Sequence, residues 1–145
     1  MISNLRDVFE GINNIYSNIT YTLNEERSSD DRIYFSTVIE SQFFKGSATV
    51  TGIVEKSGYM NVIFTYGQIE DSKEAYDLIN DFNKFAAFGK AYIGTLYGKK
   101  YLEVRYSNAL EISDVQAVSL YRHFFDDMLS ENLVDHVTPM VALTK

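Results

Sequence analysis

Apolar side chains recur at intervals of three and four residues along the first part of the chain. This spacing places them on one face of an α-helix, and they are Ile2, Leu5, Phe9, Ile12, Tyr16, Ile19 and Leu23. Ser3 is positioned to cap this helix. The segment Ile19–Leu23 also alternates with a period of two and is rich in β-branched residues, as strands are. The pattern therefore leaves open whether the helix continues or a strand begins near Ser17.

A second pattern, in which apolar and polar residues alternate, follows a charged loop. It marks three extended segments, Ile33–Phe44, Ser47–Lys56 and Tyr59–Tyr66. The pairs Lys45-Gly46 and Ser57-Gly58 separate these segments and favour short turns. Together they predict a meander of antiparallel strands.

Helical spacing returns over Asp71–Phe88 and predicts a second helix. Its apolar face carries Ala75, Leu78, Ile79, Phe82, Phe85 and Ala86. Asp71 followed by Glu74 resembles a capping box and predicts where this helix begins. Gly89 stands where a glycine in the left-handed conformation commonly ends a helix.

Two short strands are expected after this helix, at Lys90–Tyr97 and Tyr101–Ser107. We expect Gly98-Lys99 to join them, because a type II′ turn prefers glycine at its first loop position. The alternation in the second strand predicts a buried side formed by Leu102, Val104 and Tyr106.

Ser113 with Gln116 forms a second capping box and predicts a third helix that runs to about Leu133. The side of this helix expected to be buried carries Val115, Val118, Tyr121, Phe125, Met128 and Leu129. The chain's single proline, Pro139, follows. We expect about residues 136–145 to form an apolar C-terminal tail or arm that docks on its own sheet or on another subunit.

The predicted order is helix, three or four strands, helix, two strands, helix, within one domain spanning residues 1–145. Consecutive strands with short turns indicate an antiparallel sheet, here of five or six strands. Three helices gathered on one face of that sheet give an α+β two-layer sandwich.

Amino-acid composition bears on the function of the chain and excludes several classes of partner and of chemistry. The chain has 145 residues and a formal net charge of −7, so nucleic acids and anionic membranes are not expected as partners. It has no cysteine, which excludes disulfides, thiolate nucleophiles and cysteine-bound metals. There is no signal-peptide pattern and no apolar run of about 18 residues. We therefore expect a cytoplasmic protein.

Two polar groups could carry chemistry. His123 and Asp127 are four residues apart in a predicted helix, so they could form an acid–base pair or half of a metal site. His136 is the only other histidine, and a third ligand is not evident, so no metal is predicted. A carboxylate series that could bind Mg²⁺ consists of Glu74, Asp77 and Asp81. Acidic residues near a helix start also favour the helix dipole, so solvated faces are the preferred interpretation of both groups.

The known signatures of catalysis are absent from the sequence. There is no phosphate-binding loop, no nucleophile elbow and no His-Glu-x-x-His motif. We therefore predict that the protein is not an enzyme and uses no cofactor.

Asparagine and tyrosine give the candidates for binding another protein. Asn80 and Asn83 are poor interior helix residues and could hydrogen-bond a strand edge or a partner. Tyrosine is enriched in protein interfaces, and several tyrosines that fall in predicted strands would form a binding or dimer surface if they lie away from the helices. The alternative is ordinary core packing. The candidate residues are Asn80, Asn83, Tyr92, Tyr97, Tyr101 and Tyr106.

Between Leu78 and Tyr106 the sequence resembles the YbjN-like family of bacterial sensory transduction regulators, which shares the fold of type III secretion chaperones. The resemblance rests on Asn80-x-x-Asn83, on Phe88-Gly89-Lys90-Ala91 and on Tyr101-Leu102-Glu103-Val104, and on the order of the elements. It implies a non-enzymatic, often dimeric protein that binds other proteins. A possible extra strand at Ile19–Glu25 and the apolar C-terminal tail depart from the family pattern.

Three hypotheses follow for the function. The first is a chaperone-like or adaptor protein that binds another protein and acts as a homodimer. The second is a small acidic phage or mobile-element protein that inhibits a host nucleic-acid-binding or defence enzyme by charge mimicry. The third is a small-ligand binder or enzyme that uses His123 and Asp127.

Overall fold

The computed structural model describes residues 1–40 and 47–145, apart from the side chains of residues 131 and 132. Six strands and four helices lie within these residues. In chain order they are α1 (Leu5–Asn13), β1 (Thr22–Leu23), β2 (Arg32–Glu40), β3 (Ser47–Glu55), β4 (Met60–Gln68), α2 (Lys73–Phe85), β5 (Lys90–Leu96), β6 (Lys99–Asn108), α3 (Asp114–Met128) and α4 (Glu131–Ala142). The predicted α+β class and the predicted sheet of five or six strands are confirmed, whereas the predicted three helices are one too few.

The strands form one antiparallel sheet in the order β1-β2-β3-β4-β6-β5. Strand β6 returns between β4 and β5, so β5 becomes an edge strand. At the other edge, Thr22–Leu23 is the one segment among the described residues that pairs with the outer side of β2. The first helix therefore ends well before the alternating segment, and the strand interpretation of that segment holds for these two residues. The predicted turn at Lys45-Gly46 and the predicted strand end at Phe44 lie outside the described residues.

The helices pack on one face of the sheet and bury an aromatic core there. The ring centroid of Phe35 in β2 lies 5.6 Å from that of Tyr121 in α3. Phe64 in β4 lies 5.9 Å from Phe125 in α3, and α1 adds Phe9, 5.7 Å from Phe35. No described helix packs on the opposite face, so the predicted two-layer sandwich is confirmed.

Two of the three predicted helix caps are displaced by one residue. Asn4, not Ser3, caps α1, and its side chain accepts two backbone N–H groups. Ser72 caps α2, while the carboxylate of Asp71 accepts a hydrogen bond from a lysine of β6 instead. The Ser113–Gln116 capping box is confirmed at the start of α3. The capping chemistry was thus anticipated, but neighbouring cap-forming residues competed for the position.

The end of α2 differs from the prediction. The helix stops at Phe85 rather than Phe88, and Gly89 does not adopt a positive φ. A Cβ atom placed on Gly89 would lie 2.7 Å from the ring of Tyr106. Glycine is therefore required there by close packing rather than by helix termination.

The turn between β5 and β6 lies one residue earlier than predicted. Its two loop residues are Tyr97 and Gly98, with φ angles of 51° and 75°. Positive φ at both loop residues is the property of a type I′ turn, not the expected type II′ turn. Moving the turn by one residue changes which side chains face each other across the two strands.

The predicted C-terminal arm is wrong for most of its length, because α4 occupies this part of the chain with Pro139 inside it. The third helix ends at Met128, short of the predicted Leu133. The buried residues of α4 recur at helical spacing and are Leu133, Val137, Met140 and Val141. The apolar segment therefore folds onto its own domain. Val115 was expected to be buried but is 80% exposed.

Candidate functional site

The sheet surface opposite the helices is called the uncovered face here. Residues paired across antiparallel strands point to the same side, so the strand register defines this face as three rows. They are Tyr34–Ile53–Asn61–Ser107, Ser36–Thr51–Ile63–Arg105–Lys90 and Val38–Thr49–Thr65–Glu103–Tyr92. Tyr101 extends the face opposite Gly94. The uncovered face is thus a mixed surface of aromatic, β-branched and charged side chains.

The candidate tyrosines divide between accessible and buried positions. Tyr92 and Tyr101 lie on the uncovered face and are half-buried, and Tyr97 in the turn is 95% exposed. Tyr106 is fully buried on the helix side, where its hydroxyl donates to the Asp127 carboxylate at 2.8 Å. Three of the four tyrosines are therefore available to a partner, and Tyr106 is a core residue.

The two candidate asparagines have different roles. Asn83 reaches the outer edge of β5, where its Nδ2 donates to the carbonyl of Ala91 at 3.0 Å. The N–H of Ala91 donates in return to Asn83 Oδ1 at 2.8 Å. The predicted bond to a strand edge is thus confirmed for Asn83, whose amide is occupied within the chain. Asn80 is exposed, and no described residue hydrogen-bonds its side chain.

The structure does not assemble the predicted acid–base pair. The Asp127 carboxylate accepts from Tyr106, while the His123 ring packs edge-on against Phe88 with centroids 5.2 Å apart. No hydrogen bond joins His123 to Asp127 among the described residues. His136 stacks on the ring of Phe85 at the end of α2. Within residues 1–40 and 47–145, no group of three or more histidine, aspartate or glutamate side chains is placed to hold a metal ion.

Five acidic side chains form ion pairs on different elements: Arg6–Glu25, Arg32–Glu55, Lys73–Asp77, Lys100–Asp71 and Arg122–Asp126. Charge mimicry of a nucleic acid requires a concentrated anionic surface. The inhibitor hypothesis stays a prediction.

A hollow of about 380 Å³ lies at the β5–β6 end of the uncovered face. Its lining consists of Phe88, Lys90, Tyr92, Arg105 and Ser107. Lys90 and Arg105 are directly opposite each other in the strand register. The Arg105 guanidinium lies 5.3 Å from the centroid of the Tyr92 ring. Burial raises the pKa of Tyr92, so its hydroxyl stays protonated at neutral pH.

Sequence reasoning missed the basic pair of this hollow. With the turn placed at Gly98-Lys99, Lys90 would face Ser107 instead of Arg105. The signal that could have corrected the register is the preference of type I′ turns for glycine at their second loop position, which Gly98 occupies.

Comparison with known proteins supplies no relative: no family model, curated protein or solved structure matches this chain. The resemblance to the YbjN-like family therefore stays a prediction. No helix of the described residues is long and apolar enough to cross a membrane.

Proposed function

We propose that this chain is a non-enzymatic protein-binding module, chaperone-like or adaptor-like, that works in the cytoplasm as a homodimer. The observation that carries the proposal is the uncovered face, which runs across the sheet to a free edge at β5.

The middle of the uncovered face has the composition of a binding surface. Ile53 and Ile63 lie near its centre and are half-buried, as are Tyr34 and Tyr101 toward its borders. Threonine and charged residues surround them in the strand register. An apolar centre with a more polar rim is the usual anatomy of a protein interface, which supports a protein as the partner.

The outer edge of strand β5 has two residues, Ile93 and Thr95, whose backbone groups are free to pair with another strand. Asn83 binds both the N–H and the C=O of Ala91, so these groups point away from β6. Because this direction alternates along an antiparallel strand, the N–H and C=O of Ile93 and Thr95 also point outward. No described group hydrogen-bonds them. Unpaired groups along an edge strand are a template for another strand.

This edge is complementary to a second copy of itself. An antiparallel pairing about a two-fold axis at Gly94 sets Ile93 of one copy opposite Thr95 of the other, and every free group is then paired. Gly94 lies at the non-hydrogen-bonded position, where opposing Cα atoms approach to about 4.5 Å, and it has no side chain to obstruct them. Leu96, which is 56% exposed, then packs beside Tyr92 of the second copy on a continuous uncovered face.

The dimer is tested by comparing Thr95→Pro with Thr95→Val. Proline removes an N–H that faces away from β6, so it abolishes the pairing and spares the bonds between β5 and β6. Valine keeps the N–H and is the matched control. Light scattering after size exclusion should give a dimer for the wild type and Thr95→Val, and a monomer with an unchanged circular dichroism spectrum for Thr95→Pro. A monomeric wild type refutes the homodimer, and a dimeric Thr95→Pro variant refutes pairing at β5.

Partner binding is tested with Ile63→Glu on the uncovered face and Val115→Glu on α3. Both substitutions place a carboxylate on an apolar position, but Val115 lies on the helix side of the molecule. A protein captured from a native lysate by the wild type and by Val115→Glu should be lost with Ile63→Glu. Equal capture by all three forms would show that the uncovered face does not bind it.

A further inference from the structure

The hollow at the end of the uncovered face contains a pair of like charges that folding does not explain. Lys90 and Arg105 are directly opposite each other on neighbouring strands, an arrangement that destabilises a sheet. Neither forms an ion pair within the described part of the chain, although six other basic side chains do. In a chain with a net charge of −7, acidic partners are abundant, so a basic pair without one calls for an explanation.

The acidic residue next along the strand is held away from this pair. One oxygen of the Glu103 carboxylate accepts a hydrogen bond from Thr65 Oγ1 at 2.9 Å. The other occupies the space beside Gly94, where an added Cβ would lie 1.9 Å from it. Any side chain at this glycine would therefore displace the carboxylate. Glu103 interacts with the Tyr92 hydroxyl but forms no ion pair with Lys90 or Arg105 among the described residues.

The remaining lining of the hollow adds flat apolar surface. Phe88 is 57% exposed, and His123 packs edge-on against its ring. The Tyr92 ring lies beneath the Arg105 guanidinium, while its hydroxyl oxygen is buried. The hollow thus combines two cations with an open aromatic wall.

We propose that this hollow is a binding site for a small aromatic oxyanion. The anionic group lies between Lys90 and Arg105, and the ring of the ligand packs on Phe88. A volume of about 380 Å³ is within the usual range for small-ligand sites. Two cations match the charge of a phosphate dianion, and arginine binds phosphate and carboxylate groups in two-point contacts. The proposal does not require pairing at β5, because all the residues that line the hollow belong to one chain.

The test titrates phenyl phosphate and benzoate into nitrogen-15-labelled protein and follows the backbone amide signals. The variants are Lys90→Gln and Arg105→Gln. Lys99→Gln is the matched control, because Lys99 is exposed, lies on β6 and does not line the hollow. Phenyl phosphate should shift the signals of residues around the hollow, and each hollow variant should weaken binding by about tenfold or more, as loss of a charge-assisted hydrogen bond does. The control should change the affinity less than about twofold.

Thermal unfolding separates a binding role from a structural one. Removing one of two like charges should leave the melting temperature unchanged or raise it, whereas a pair needed for folding would lower it. Saturable binding of benzoate alone identifies a carboxylate ligand and supports the site. The proposal fails if neither probe gives saturable shifts at about 1 mM, a very weak affinity, or if Lys99→Gln weakens binding as much as the hollow variants do.

Discussion

Replacing Asn83 by aspartate exchanges the side-chain NH2 group for an oxygen at the contact between α2 and the edge of β5. The amide of Asn83 donates to the carbonyl of Ala91 at 3.0 Å and accepts its N–H at 2.8 Å. Aspartate keeps the acceptor but substitutes a carboxylate oxygen for the donor. The donated bond is lost, and two oxygen atoms that repel each other are left at hydrogen-bonding distance.

The cost follows from these two contacts. A hydrogen bond contributes about 1 kcal/mol net, and leaving a partly buried carbonyl unpaired opposite a charge adds about 1–2 kcal/mol. We expect Asn83→Asp to lower the free energy of unfolding by about 2–3 kcal/mol near pH 7. For a chain of this size that corresponds to about 3 °C in melting temperature per kcal/mol.

The decrease in the free energy of unfolding caused by Asn83→Asp should depend on pH. When protonated, the introduced carboxyl can donate to the Ala91 carbonyl again, so the folded state favours the neutral form and its pKa lies above the unfolded value of about 3.9. A raised folded pKa gives stability that is present below the unfolded pKa and is lost as the pH rises through the folded pKa. The deficit of Asn83→Asp should therefore shrink between about pH 7 and pH 4.

Urea unfolding followed by circular dichroism measures this deficit, with Asn80→Asp as the matched control. Asn80 lies one turn earlier on the same helix and is exposed, so the same change in charge should cost less than about 0.5 kcal/mol there. Equal losses for the two variants, or a deficit that does not shrink on acidification, would refute the role assigned to Asn83.

Two further predictions concern backbone positions. Gly52→Ala places a Cβ 2.1 Å from the Phe35 ring, so overpacking should lower the free energy of unfolding in urea by about 1–3 kcal/mol. Adding Phe35→Leu should restore part of this free energy, and no restoration would show that the Phe35 ring is not the cause. Tyr97→Asn should raise the melting temperature by a few degrees, about 0.5–1 kcal/mol, because asparagine before Gly98 suits a type I′ turn; an unchanged or lower value would show that Tyr97 is not strained.

The spacing of hydrophobic residues along the sequence predicts most of the helices and strands of the fold. The alternation of β3 and β4 and the apolar face of α2 follow directly from which side each residue presents to the core. The structure confirms them except at Phe85, which was expected on the apolar face but is 51% exposed. The helix starts were less certain, because Asp71 and Ser72 are both good capping residues and propensity alone does not choose between neighbours. The tertiary pairing of Asp71 with Lys100 makes that choice.

The C-terminal helix was missed for a local reason. Pro139 lacks the N–H that an interior helix residue donates, so its presence favours a helix end or an irregular segment. Packing outweighs this penalty, because Val137, Met140 and Val141 all lie buried. The unfavourable effect of Pro139 on a helix is evident from the sequence. The contacts between α4 and α2 that compensate for it are evident only from the folded structure.

The candidate site was predicted in part. Tyr92 and Tyr101 were placed in strands correctly, but period-two alternation did not say which tyrosine faces the helices. The basic pair at Lys90 and Arg105 depended on the turn register, and an error of one residue concealed it. Sites formed across strands therefore depend on turn geometry, which the pattern of apolar residues does not encode.

The contact between Asn83 and Ala91 also bears on the solubility of the protein. Segments that grow into cross-β fibrils commonly expose six or seven consecutive residues of strand. Here the amide of one helix residue shortens the open edge to the outward groups of Ile93 and Thr95, and Lys90 lies at the start of that strand. Asn83 therefore reduces the number of backbone groups on β5 that a strand of another molecule can pair with.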